Sequence, residues 1–171
     1  GLHPKDVDGL LKVLDRLVRG GATVVVVEHN ADIISAADWV IDLGPGAGPA
    51  GGRIIYQGPP AGLLRASGSA TGRALLAGDA VEPSPGGRTR EVSSPRKTIR
   101  IQAARANNLR DGDVDLIKGA LTVVTGVSGS GKSSLVHDVL EAEARRRFLE
   151  SLSVYERQGT REGAEAPVEA I

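Results

Sequence analysis

The sequence predicts an α/β protein built around a buried, parallel-type sheet. Ala22–Glu28 reads ATVVVVE and Leu121–Thr125 reads LTVVT. Such uninterrupted β-branched runs suit strands covered on both faces. Strand-like and helix-like segments also alternate on both sides of residues 78–97. Finally, a glycine-rich loop joins the second run to a long helical pattern. The expectation is two pieces of α/β architecture, 1–77 and 98–171, joined by a linker.

Residues 5–19 form the first expected helix. Val7, Leu10, Leu11, Leu14, Leu17 and Val18 recur at helical spacing, with charges between them. Pro4 suits a first turn, Asp6 and Asp8 complement the positive helix start, and Gly20-Gly21 ends it. After the first strand, Asn30 can cap a short helix through Ala37. Trp39–Leu43 is a short buried strand, Gly44–Gly52 a glycine-rich turn, and Arg53–Gln57 a third strand. Pro60–Arg65 and Thr71–Leu76 are short helices. Residues 78–97 hold Pro83, Pro85 and Pro95 with a glycine pair and no apolar period, which marks a linker. Thr98–Gln102 alternates like a half-exposed strand. Asn107-Asn108-Leu109-Arg110 leads to Val114–Leu116, then to the buried run at 121–125. Lys132 to about Leu149 is a long helix.

Composition narrows the functional classes. Twenty-one Lys and Arg balance 21 Asp and Glu, so net charge argues neither for nor against a nucleic-acid partner. The chain has no cysteine, which removes disulfides and thiolate metal sites and fits an intracellular protein. Aromatic residues make up 2%, too few for a base-stacking platform. No apolar run reaches the roughly 18 residues of a membrane span. The start, GLHPKDVD, lacks the basic and apolar regions of a signal peptide.

The chemistry concentrates in TGVSGSGKSSL, residues 125–135. Gly126 to Ser133 match the phosphate-loop pattern G-x-x-x-x-G-K-[ST], with a strand before it and a helix after it, as the motif requires. Gly126, Gly129 and Gly131 let the backbone curl so that N–H groups point inward. The helix start adds positive potential. Val127, Ser128 and Ser130 complete the loop. Lys132 can reach the β- and γ-phosphates of a nucleotide, Ser133 can offer a hydroxyl to Mg²⁺, and Ser134 can bond the α-phosphate.

Other candidates carry less on their own. His29, in Glu28-His29-Asn30, stands at the carboxyl end of a strand, where ligands bind in parallel sheets. By spacing alone it reads first as a strand-end histidine with a local hydrogen bond. Gln158 is by itself a polar loop residue. Arg145-Arg146-Arg147 follows Glu141 and Glu143 and reads as a solvated helix face with i,i+4 pairs, a DNA-backbone contact being the lesser alternative. His3 and His137 lack partner clusters, and Trp39 suits the core.

Taken together, these segments resemble the UvrA family, the damage-recognition ATPases of the bacterial UvrABC excision nuclease, which have an ATP-binding-cassette fold. TGVSGSGKSSL preceded by ANNLRDGDVDL looks like the start of that family's second cassette. GLHPKDVDGLLKVLDRL, TVVVVEHNADIISAADWVIDLGPGAG and SATGRALLAG look like the end of the first cassette. The resemblance implies a P-loop NTPase of cassette type, with two partial cassettes: 1–77, from the D-loop region to the switch histidine and tail, and 98–171, carrying Walker A. His29 then matches the switch histidine and Gln158 the Q-loop glutamine, which with Ser133 orders Mg²⁺. In that scheme His29 and Lys132 serve different ATP sites.

The implied cofactors are ATP and Mg²⁺, with zinc held only by parts of the family's proteins outside this chain. The implied partners are damaged duplex DNA, a UvrB-like subunit and a second copy of the protein, in the cytoplasm and without a membrane. The signature motif and the Walker B carboxylates are missing from the sequence. The chain alone is therefore expected not to hydrolyse ATP. RRRFLESLSVYERQ resembles the region after the family's first Walker A more than the second. That would fit a UvrA-like paralogue with another domain order or extra cassettes. The alternatives to a repair ATPase are a UvrA-like paralogue or cassette ATPase in drug resistance or export, and a nucleotide-binding clamp without turnover.

Overall fold

The computed structural model describes residues 4–77, 97–110 and 112–152. Gly1 to His3, nearly all of the expected linker and Gln158 lie outside the described residues.

Strands from both sides of the linker share one sheet. Its order is β1 (Val24–Val27), β6 (Leu121–Gly126), β2 (Trp39–Gly44), β3 (Arg53–Gly58). The phosphate-loop strand β6 is central and runs parallel to both β1 and β2, with Val26 opposite Val123 and Val40 opposite Val123. β3 turns back antiparallel to β2 at the sheet edge. Two further strands, β4 (Thr98–Ala104) and β5 (Gly112–Ile117), form a separate antiparallel pair. Gln57 links the two sheets: its side-chain oxygen accepts from the Asp115 N–H at 3.0 Å.

The sheet is covered on both faces, as the β-branched runs require. On one face Val40, Leu121 and Val123 pack with Val7, Leu14 and Val18 of α1 (Pro4–Arg19), Ile33 and Ile34 of α2 (Ala31–Ala36), and Leu63 of α3 (Pro60–Leu63). On the other, Ile41, Leu43 and Val124 meet Ile101, Val114 and Leu116 of the β4–β5 pair. Leu135 and Val139 of the helix after the loop complete that layer. Alternate residues of β2 and β6 thus feed two cores. Burying a Val, Leu or Ile side chain contributes roughly 1.5–3 kcal/mol, so most of the stability resides where β2 and β6 are sandwiched.

One local expectation holds and two are refined. Asn30 caps α2 as expected, its side-chain oxygen accepting from the N–H groups of Asp32 at 2.9 Å and Ile33 at 3.3 Å. β1 is only half-buried and Val27 is exposed. β1 pairs with β6 alone and forms a sheet edge, so its side chains lack neighbours on one side. The helix after the loop is continuous but not uniform. Ser134–Glu141 is wound as a π-helix before α5 (Ala142–Ser151). Asn107 braces this wider segment, its amide donating to Ser134 Oγ and Asp138 Oδ2, both at 2.8 Å. No helix among the described residues is long and apolar enough to cross a membrane.

Two arginines of the cluster, Arg146 and Arg147, bind their own helix. Glu143 is buried and accepts from Arg146 Nε at 2.7 Å and Arg147 Nε at 2.8 Å. The hydrogen bond from Arg146, chiefly, holds the Glu143 carboxyl down at about 2, with Arg147 adding to it and burial opposing. The folded value lies below the roughly 4.3 of an unperturbed glutamate. The stabilisation is therefore full above that value and is lost as pH falls towards about 2. Glu143→Gln is expected to destabilise the fold at pH 7, with the gap to the wild type closing as pH drops below about 4. Denaturant titrations across pH check this; a gap that stays constant down to acid pH would contradict it.

Candidate functional site

The phosphate loop leaves the end of β6 between β1 and β2. Its glycines adopt backbone angles that L-residues with side chains avoid: φ is 128° at Gly126, 73° at Gly129 and 103° at Gly131. A Cβ on Gly126 would overlap the Leu43 carbonyl oxygen of the neighbouring strand. These positions let the loop curl tightly against β2 and enter the helix at Lys132.

Lys132 folds back over the loop. Its ammonium donates to the carbonyls of Gly126 and Val127, both at 2.9 Å. Partial burial lowers the Lys132 pKa, and the nearby Asp42 carboxylate opposes that shift. Asp42 is itself buried on β2, opposite Thr125 in register. It is satisfied by Ser69 Oγ at 2.6 Å and Thr71 Oγ1 at 2.9 Å, at the start of α4 (Ala70–Ala77). A buried, fully hydrogen-bonded carboxylate therefore stands behind the loop lysine and favours its charged form.

The residues fit a polyphosphate. Ser130 Oγ is buried without a hydrogen-bond partner, while Ser128, Gly129 and Ser133 are exposed beside it. The Ser128 and Ser133 hydroxyls are thus accessible at the helix start, with the half-buried Lys132 ammonium beside them. Ser133 would hold Mg²⁺ and Ser134, bonded here by Asn107, lies at the base of the same turn.

The glycine-rich turn Gly44–Gly52, unassigned by motif reasoning, wraps the outside of this loop. The Gly48 N–H donates to Gly129 O at 2.9 Å and the Gly52 N–H to Ser130 O at 3.0 Å. Asn108 joins both, its side-chain nitrogen donating to Gly48 O at 3.2 Å and Gly129 O at 3.0 Å. Arg110 anchors the far side, its N–H donating to Gly52 O at 2.8 Å and its guanidinium to Pro49 O. The only sequence signal for this contact was the glycine density itself. Asn108 and Arg110 stand in a motif used for family likeness, with nothing in their spacing to reveal what they hold.

His29 follows β1 at the same sheet edge. The pairing of β1 ends with Val27 level with Val124, and the Glu28 N–H still donates to Val124 O at 3.1 Å. The resemblance assigns His29 and Lys132 to separate nucleotide sites; here their strands are neighbours. The His29 side chain is 89% exposed, and its ring nitrogen lies 3.8 Å from Glu28 Oε2. The Glu28 carboxylate accepts the backbone N–H of His29 at 2.8 Å. His137 pairs with Glu141 on the helix surface at 2.8 Å, away from the loop.

A glycine-curled loop between parallel strands, with its lysine at a helix start, defines a P-loop nucleotide-binding protein of α/β class. No protein-family profile matches the chain. It is, however, 46% identical over 148 residues to UvrABC system protein A of Mycobacterium tuberculosis, covering 86% of this chain and 15% of that protein. With UvrABC system protein A of Staphylococcus aureus the identity is 46% over 151 residues, covering 88% and 16%. The crystal structure of UvrA2 from Deinococcus radiodurans matches at 44% identity and a TM-score of 0.44, covering 84% of this chain and 17% of that one. Over 86% of its length the chain is homologous to part of UvrABC system protein A. It spans about 15% of the length of these curated relatives.

Proposed function

We propose that this chain is the nucleotide-binding centre of a UvrA-like ATPase acting in nucleotide excision repair. The observation that carries this reading is the loop Gly126–Ser134, with its positive-φ glycines and its lysine at the helix start, in a chain 46% identical to UvrA proteins. Lys132, the loop N–H groups and the Ser130 hydroxyl bind the phosphates of ATP, and Ser133 holds Mg²⁺. Bound Mg²⁺ supplies neutralisation of charge on the β- and γ-phosphates. His29, as the switch histidine, senses the γ-phosphate of a nucleotide site other than that of Lys132, and Gln158 contributes to ordering Mg²⁺ and water. Lys132 and its backbone cradle position the phosphates; the groups that activate water come from other parts of the whole protein. ATP binding and hydrolysis there control binding to damaged duplex DNA and loading of a UvrB-like subunit by a cytoplasmic homodimer.

The reading is tested by fluorescence anisotropy of a lesion-bearing duplex titrated with the whole UvrA-like protein. Affinity for the lesion over intact duplex is expected to differ between ATP, ADP and nucleotide-free conditions. Identical binding in all three would point instead to a paralogue with another task, such as drug export.

A further inference from the structure

The loop must keep its shape when no phosphate holds it, and Asn108 is placed to do that. We propose that Asn108 is a positioning residue for nucleotide binding, tying the phosphate loop to the Gly44–Gly52 turn; this rests on the reading of the loop as an ATP site. One side-chain nitrogen reaches both partners, donating to Gly48 O at 3.2 Å and Gly129 O at 3.0 Å. An amide NH₂ has two hydrogens, so it can serve both carbonyls at once. Gly129 O also accepts the Gly48 N–H at 2.9 Å, and Ser130 O accepts the Gly52 N–H at 3.0 Å. Both loop carbonyls are thereby drawn outward. Because a trans peptide is planar, its N–H points opposite to its C=O. Holding Ser130 O outward turns the Gly131 N–H towards the concave side of the loop, where a phosphate oxygen would bind. The Asn108 side-chain oxygen closes the third side: it lies 3.1 Å from where a Cβ on Gly131 would be. Asn108 touches no phosphate in this arrangement; it fixes the groups that do.

Asn108→Asp makes the sharpest test, because it replaces the shared donor by an acceptor facing two carbonyl oxygens. With the full chain and a fluorescent ATP analogue, Asn108→Asp is expected to weaken binding at least about tenfold, the scale of a lost pair of hydrogen bonds with an acceptor left facing two carbonyls. Asn108→Ala, which removes the donor without adding charge, should weaken it by a smaller factor and guards against a misfolded Asp variant. Arg110→Ala is the control: it releases the same turn at Pro49 but leaves the loop's own bonds, and should keep affinity within about twofold. Thermal melting without nucleotide should rank the variants differently from their ATP affinities. Wild-type affinity in both Asn108 variants, with normal binding by the unaltered chain, would overturn the proposal. An equal loss in Arg110→Ala would overturn it too, by assigning the effect to the turn as a whole. No binding by the unaltered chain would overturn the ATP reading itself.

Discussion

Lys132→Ala is expected to remove measurable Mg-ATP binding at micromolar nucleotide while leaving the fold intact. Lys132 is the one side-chain cation of the loop, and its ammonium already lies within 2.9 Å of the Gly126 and Val127 carbonyls that line the loop's mouth. Charge-assisted hydrogen bonds contribute about 1.5–3 kcal/mol each. Two of them to phosphate oxygens amount to a loss of at least about 100-fold in affinity. The substitution also removes a partly desolvated charge, whose burial disfavours it in the free protein. Stability without nucleotide should therefore change little, the lost desolvation cost offsetting the two lost hydrogen bonds to the Gly126 and Val127 carbonyls. Calorimetric titration with Mg-ATP, alongside a melting curve, separates the two effects. An unchanged ATP affinity would remove the loop from the site.

Gly52→Ala is expected to destabilise the chain by about 3 kcal/mol or more, although Gly52 lies outside every motif. Its φ is 78°, and a Cβ there would overlap the backbone carbonyl of Asn108. A left-handed backbone costs an L-residue roughly 1–2 kcal/mol, and overpacking against backbone that cannot rotate away adds about 1–3 kcal/mol. The turn could relieve the clash only by leaving Ser130 O and Arg110, which would loosen the phosphate loop as well. Denaturant unfolding should show the loss, and nucleotide affinity should fall with it. Alanine tolerated within about 0.5 kcal/mol, the usual surface range, would mean that the turn does not grip the loop this way.

The elements themselves were largely legible because each carries a local signal. The helical period of α1, the Asn30 cap, the β-branched runs of β1 and β6 and the loop glycines all report chemistry within a few residues. What could not be read was long-range pairing. Nothing in ATVVVVE says that it lies beside LTVVT about a hundred residues later, since any buried parallel strand has the same pattern. The half-exposure of β1 follows from its edge position, a property of sheet order and not of sequence. Asp42 was hidden inside a buried strand, where WVIDL reads as a polar interruption until Ser69 and Thr71 are seen to satisfy it. The role of Gly44–Gly52 depended on contacts with residues 108–110 and 129–130, which no local spacing encodes.

If the Lys132 loop serves an ATPase that responds to DNA damage, the ATPase rate of the whole UvrA-like protein must depend on lesion-bearing duplex. Measured with and without that duplex, the wild-type rate is expected to change with damaged DNA, and Lys132→Ala is expected to abolish the response. A protein that turns over ATP at the same rate with damaged DNA, intact DNA and none would contradict this.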